Sequence, residues 1–469
     1  MVSGQYSRLD HDKQVGRPRP GAERRLRATG ILMRAWLRAV TSAALVTFLA
    51  LPGLGTGTAA ATGGGVGGER SAQCAPGVPA GPDGDAFYEP PSPLPRGRHG
   101  DLIRAHRIEA PDGARACKIL YLSTLHDGTR VAVSGLVAWP DGPAPRGGRN
   151  VVAWAHGTVG GPRQCAPSAA PNPARDLVDY FTYDSPFQID VGVPALTQFL
   201  AAGDVVVATD YQGLGTPGVH QYVVGATETH NVLDSVTAAQ QLRPVHAGKK
   251  VAVLGWSQGG GAGLFVGQDT PAYSPGLDLV GVAALAPAAD LGPQFAGLVP
   301  PGPRNDSSES HNAALRINVY RGFLAAYPEL RATDVLQPAG IQALEGDGVA
   351  CIEHFADVIQ NNVGDAHQLD TLFKPLREVP DSWHQRFHEN TPGYVTTVAP
   401  VLVMQGTADT VINPHSTEQY IRRACGFSQP VEYTTYEGAT HNTIPFEAQQ
   451  EYLSWIADRF AGSQAPSNC

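Results

Sequence analysis

Val251-Ala252-Val253-Leu254-Gly255-Trp256-Ser257-Gln258-Gly259-Gly260-Gly261-Ala262-Gly263-Leu264 is the stretch from which the rest of the chain is read. It opens as a short continuous apolar run, the pattern of a parallel strand buried on both faces. The run leads into Gly255-Trp256-Ser257-Gln258-Gly259, a G-x-S-x-G pattern, and a small-residue helix start follows. A serine on so sharp a strand-to-helix turn is held in strained backbone geometry, with Oγ projecting above the sheet. Flanking glycines relieve the crowding. The helix start also brings positive dipole to any charge developing near Oγ. The pattern alone is common and also fits a plain glycine-rich turn, so its weight rests on what surrounds it.

Outward from this turn, further strand-like runs appear at Val131–Trp139, Asn150–Ala155, Asp204–Thr209, Leu279–Ala286, Val401–Gln405 and Val431–Tyr436. Thr227–Leu242 carries Val232, Val236, Ala239 and Leu242 at helical spacing, and 415–424 and 445–460 also read as helices. Strands alternating with helices predict an α/β fold, a mostly parallel central sheet with helices on both faces. One gap interrupts the rhythm: 113 residues separate Ala286 from Pro400. Leu315–Leu324, Ile341–Leu344 and Ile352–Asn361 look helical there, and a bare loop of that length is unusual. The expected organisation is therefore a loosely ordered Gly/Pro-rich arm over 62–100, a core over 101–286, an inserted helical cap over 287–398 and the end of the core over 399–469. No internal repeat is present.

If Ser257 is a nucleophile on such a sheet, an acid and then a histidine should follow it in the chain. After Val401–Gln405 comes Gly406-Thr407-Ala408-Asp409, and a carboxylate there can fix a histidine's tautomer and stabilise its cation. A turn or helix cap ahead of Pro414 is the other use for Asp409, and Asp290 is the rival acid. The base is expected at His441, in Gly438-Ala439-Thr440-His441 after Val431–Tyr436; His415 reads as a helix start. His230 and His246 precede the serine and break the order. Two backbone N–H groups should complete the set: one from Gln258, the other from Gly157 or Thr158 in the loop after Asn150–Ala155. His156 reads as a structural histidine packing that loop. Asp210, also at a strand end, braces a turn or lines the pocket.

The N-terminus reads as a secretion signal over 1–61. Arg24, Arg25, Arg27, Arg34 and Arg38 precede an apolar stretch from Ala39 to about Leu54, and Thr58-Ala59-Ala60-Ala61 offers a small-residue cleavage site. Met33 is a candidate true start, and an uncleaved anchor is the alternative. That segment holds 9 Lys+Arg and 3 Asp+Glu, leaving 25 and 40 in 62–469, a net charge of −15. Such a surface disfavours nucleic acid as a partner. The six cysteines form no C-x-x-C pair, so neither a metal nor a redox site is expected, and no cofactor. An even count in an exported chain predicts three disulfides, among 15 possible connectivities. Neighbour pairing is the expectation: Cys74–Cys117, Cys165–Cys351 and Cys425–Cys469.

The segments AWAHGT, ATDYQGLGTPG, GWSQGG, MQGTADTVI and GATHN, at these spacings, resemble the secretory lipase family of α/β-hydrolases over residues 85 to 460. The resemblance implies Ser257, Asp409 and His441 as triad, an oxyanion loop around Gly157-Thr158, and a large helical cap. Some family members carry a small residue where this chain has Gln258, which leaves the shape of the pocket open. The implied substrate is triacylglycerol or another simple acyl ester, with transient contact to a lipid interface. The residues by themselves indicate only acyl transfer, so a peptidase or an acyltransferase on the same triad stands as the alternative. A non-enzymatic binding protein on this scaffold would ordinarily have lost a triad position, and none is lost. Nothing in the sequence fixes an oligomeric state.

Overall fold

The computed structural model describes residues 73–177, 191–291, 306–346, 348–363 and 371–469. The expected secretion signal therefore lies outside the described residues. Nine strands form one sheet in the order β1-β2-β3-β5-β4-β6-β7-β8-β9. They are β1 Leu102–Ile108, β2 Ala114–Thr124, β3 Arg130–Pro140, β4 Arg149–Ala155, β5 Val205–Thr209, β6 Ala247–Trp256, β7 Asp278–Leu285, β8 Val401–Gly406 and β9 Val431–Tyr436. The first three pair antiparallel, as does β3 with β5; from β5 onward every neighbour is parallel. Since β4 lies between β5 and β6, the chain reverses direction of travel across the sheet there. A crevice opens at the carboxyl ends of strands at such a reversal.

The apolar runs are strands because both faces of the sheet are covered. Val151, Ala153, Val205, Val207, Val251 and Val253 enter one core. Their alternates Val152, Trp154, Val206, Ala208, Ala252 and Leu254 enter the other, as the two-residue period of a strand requires. Helices α1 Leu196–Ala202, α2 Gly225–Gln240 and α3 Gln258–Tyr273 lie between the early parallel strands. Val232, Val236, Leu264 and Val266 of α2 and α3 fill the first core, while Leu196 and Phe199 of α1 fill the second. Between β7 and β8 come α4 Asp306–Ala326, α5 Pro338–Gly346, α6 Ile352–Val363 and α7 Asp381–Glu389. These helices have a core of their own around Tyr320, Phe323, Phe355 and Trp383, which takes in Tyr222, Val223 and Val224 from the sheet side. Helices α8 Pro414–Gly426 and α9 Gln449–Ala461 complete the two faces.

The disulfides pair Cys74–Cys117, Cys165–Cys351 and Cys425–Cys469, the neighbour pairing expected. The first helps explain why the arm is not loose from residue 73 onward. It fixes the arm to β2, and Phe87 and Tyr88 pack with Leu120 and Ala132 in a small core. The second spans 186 residues and ties the start of α6 to the segment after β4. Ile352 N donates to Val159 O at 3.0 Å beside it. Closing so long a loop contributes about 5 kcal/mol in the chain-entropy account.

Candidate active site

Ser257 sits between β6 and α3 with φ 56° and ψ −116°, a conformation that L-residues avoid. Ser257 N donates to Leu285 O (2.9 Å), while its carbonyl accepts from Gly261 N and Ala288 N (3.1 and 2.9 Å), so the strain is held from three sides. The glycines on either side are sterically required. A Cβ at Gly255 would stand 2.1 Å from Gly259 O, and one at Gly259 would stand 1.8 Å from Ala155 O.

Asp409 and His441 meet. His441 Nδ1 and Asp409 Oδ2 are 2.7 Å apart, with both side chains buried. The aspartate faces donors from its own loop as well: Val411 N and Ile412 N donate to Oδ1 (both 2.8 Å), and Gln405 Nε2 donates to Oδ2 (3.0 Å). Thr417 Oγ1 in turn donates to Gln405 Oε1 (2.7 Å). A carboxylate so placed makes Nδ1 of the imidazole the donor and leaves Nε2 as the acceptor. The serine and the histidine are linked through the intervening tryptophan. Trp256 Nε1 donates to His441 O (3.1 Å), and the two rings lie 4.7 Å apart. Among the described residues, no hydrogen bond joins Ser257 Oγ to His441.

The loop after β4 is fitted to the same tryptophan. A Cβ at Gly157 would stand 2.1 Å from the Trp256 ring, so only glycine passes there. Thr158 is buried, with its hydroxyl 2.6 Å from Tyr222 OH. Among the described residues, no hydrogen bond takes the backbone N–H of Gly157, Thr158 or Gln258. His156 packs inward, its ring between Gly157 O (2.6 Å) and Asp210 O (3.3 Å). Burial pushes it down to about 4, so it is neutral.

The residues weighed against this set lie elsewhere in local contacts. Asp290 faces Arg423 at 3.6 Å, and His415 begins α8 with its N–H capped by Asn413. Asp210 Oδ1 accepts from Ser168 N (2.9 Å), and its Oδ2 accepts from the Ser134 hydroxyl (2.6 Å), so it braces a turn. Sequence reasoning missed Trp256, Gln405 and His311. The last, on α4, is pushed down to about 4 chiefly by burial, with a smaller contribution from His441. Only the bulk of Trp256 inside the G-x-S-x-G pattern carried a signal. Among the described residues no cluster could hold a metal ion.

The secretory lipase family model matches residues 184–468. The chain belongs to this family. A Mycobacterium tuberculosis protein named a probable inactive lipase is 23% identical over 81% of this chain and 83% of its own length. Lipase 5 of Candida albicans is 25% identical, covering 83% of each chain. Candida antarctica lipase A in its closed state superposes with a TM-score of 0.63 at 18% identity, over 82% of this chain and 87% of that one. That likeness is one of fold, and the fold is the α/β-hydrolase fold. Family and fold together place the chain among lipase-type hydrolases.

Proposed function

We propose that this chain is a secreted serine carboxylester hydrolase, a lipase cleaving triacylglycerol or simple acyl esters through an acyl-enzyme. One observation carries the reading. A serine in strained left-handed geometry follows β6, and a buried His–Asp pair stands after β9 and β8 at the same edge of the sheet. In the proposed reaction, Ser257 Oγ attacks the ester carbonyl while His441 Nε2 takes its proton. Asp409 holds the imidazole and the cation it becomes. The N–H groups of Gln258 and of Gly157 or Thr158 donate to the oxyanion, contributing about 3 kcal/mol each. The alcohol leaves with the proton from His441. Water, deprotonated by His441, then releases the acid and regenerates Ser257. The helices between β7 and β8 are the proposed cap, tied to the oxyanion loop's continuation by Cys165–Cys351. Three disulfides support export, and no helix among the described residues is long and apolar enough to cross a membrane.

The test is hydrolysis of p-nitrophenyl butyrate and palmitate by the disulfide-bonded protein beside Ser257→Ala. A loss of at least about 10⁴-fold in the variant, with unchanged circular dichroism, is expected. The butyrate-to-palmitate ratio separates esterase from lipase. Equal activity in both proteins would remove Ser257 from the mechanism. Cleavage of peptide p-nitroanilides instead would make the protein a peptidase. Absence of all activity would align it with the relative named a probable inactive lipase.

A further inference from the structure

An oxyanion donor after the serine needs only a backbone N–H, yet this chain places a glutamine there. The Gln258 side chain is buried among protein partners. It is 1% exposed, and its amide Nε2 donates twice: to Glu228 Oε1 at 2.6 Å and to His220 Nε2 at 3.0 Å. Both acceptors are themselves fixed. His220 Nδ1 donates to Gln212 O (2.8 Å), which leaves Nε2 as the bare nitrogen facing Gln258. Glu228 Oε1 also accepts from Val223 N (2.9 Å), a residue with φ 52° at the turn into α2. The first residue of α3 is thus tied to α2 and to the 212–223 loop by its side chain. Among the described residues, no hydrogen bond takes its own N–H.

We propose that Glu228 and His220 are positioning residues that, by holding the Gln258 amide, hold the Gln258 backbone N–H where a developing oxyanion needs it. This rests on the reading of Ser257 given above. A side chain with both amide hydrogens committed leaves its own residue little freedom to rotate, and a catalytic donor loses effect steeply with misplacement. The clamp also contains a titratable group. Burial pushes Glu228 up to about 8, against the hydrogen bonds from Gln258 and Val223. Its surroundings offer little compensation. His220 is pushed down to about 3 by burial, against its hydrogen bond to Gln212 O, with smaller contributions from His156 and Arg321. Tyr211 lies well above its usual range, chiefly through burial and next through Glu228 itself. At neutral pH the clamp is an uncharged acid. Its ionisation sets a negative charge one side chain away from the position where the oxyanion forms.

Glu228 also accepts the Val223 N–H, so a purely structural role in that turn must be told apart. Ester hydrolysis is measured from about pH 7 to about pH 9.5, with melting temperatures at each end, for the wild type, Glu228→Gln, Gln258→Leu and Ser257→Ala. Wild-type kcat is expected to fall about tenfold above the ionisation, with KM within about twofold. Glu228→Gln keeps the acceptor but cannot ionise, and is expected to hold at high pH the kcat it has at neutral pH. Gln258→Leu keeps the backbone N–H and removes the clamp; its kcat is expected to drop about tenfold at neutral pH with KM and melting temperature little changed. Parallel alkaline falls in wild type and Glu228→Gln, or an unchanged kcat in Gln258→Leu, would overturn the proposal. Activity retained by Ser257→Ala would remove the underlying reading and this inference with it.

Discussion

Among the described residues, two buried aspartates are each hydrogen-bonded to a histidine Nδ1 at nearly the same distance. Asp409 and His441 are 2.7 Å apart; Asp234, on α2, and His99, in the N-terminal arm, are 2.6 Å apart. The pairs differ in what surrounds them. Asp409 follows a parallel strand, takes donors from its own loop, and leaves His441 beside Trp256 and the strained serine. Asp234 gives its second oxygen to Tyr273 OH (2.8 Å), while His99 lies against the Tyr273 ring at 4.3 Å. His230 stacks on that ring at 3.8 Å. The second pair clasps the arm to α2 and α3 and has no strained nucleophile beside it. A His–Asp contact therefore identifies no site by its distance. The sheet edge and the serine conformation make the first pair a candidate.

Making the same substitution at both pairs gives the sharpest contrast. Asp409→Asn is expected to lower kcat/KM for an ester by about 10⁴-fold, because the amide presents the wrong partner to Nδ1. Asp234→Asn should leave kcat/KM within about twofold and cost on the order of 1–2 kcal/mol of stability through its hydrogen bonds to His99 and Tyr273. Ester kinetics and chemical denaturation on the two variants check both. Comparable activity losses would mean that the two dyads are not functionally distinct.

A smaller effect is expected at Trp256, the side chain that joins the two halves of the candidate site. Trp256→Phe keeps a ring against Gly157 and loses the Nε1 donor to His441 O. The histidine loop then lacks one anchor, and kcat is expected to fall about threefold to tenfold, with KM little changed. A change confined to KM would place Trp256 in substrate binding instead.

What the sequence disclosed and what it concealed follow the same division. β4 to β8 were legible because parallel strands buried on both faces are apolar throughout, as in Val151–Ala155 and Val251–Leu254, whereas β9, with only Val431 buried, was read from its β-branched and aromatic residues. Ser257, Asp409 and His441 were nominated by chain order at the ends of such strands. β1 and β2 were not read; Leu102–Ile108 carries Arg104, His106 and Arg107 and has no clean alternation. Helix α7 was missed for a similar reason: it presents only Trp383 and Phe387 to the interior. The Glu228–Gln258–His220 clamp was invisible because its members, at 220, 228 and 258, meet only through the packing of α2 against α3. The His99–Asp234 pair spans 135 positions and left no mark in local sequence.

The smallest effect separates the pairs by pH. His99 is raised from the ordinary histidine range, first by its hydrogen bond to Asp234, with the charges of Asp234 and Asp101 adding to it against partial burial and Arg98. Its folded form therefore holds a proton more tightly than its unfolded form. The resulting stabilisation is complete below the unfolded value, about 6.5, and is lost as pH rises through the folded value. His99 is more than one-third exposed, so solvent screens the gain. His99→Gln should lower the melting temperature by on the order of 1 °C near pH 5.5, with the gap closing towards pH 9. Ester hydrolysis at either pH should be unaffected by that substitution. A gap that widened with pH would mean that the ring's packing on Tyr273, and not its charge against Asp234, is what His99 contributes.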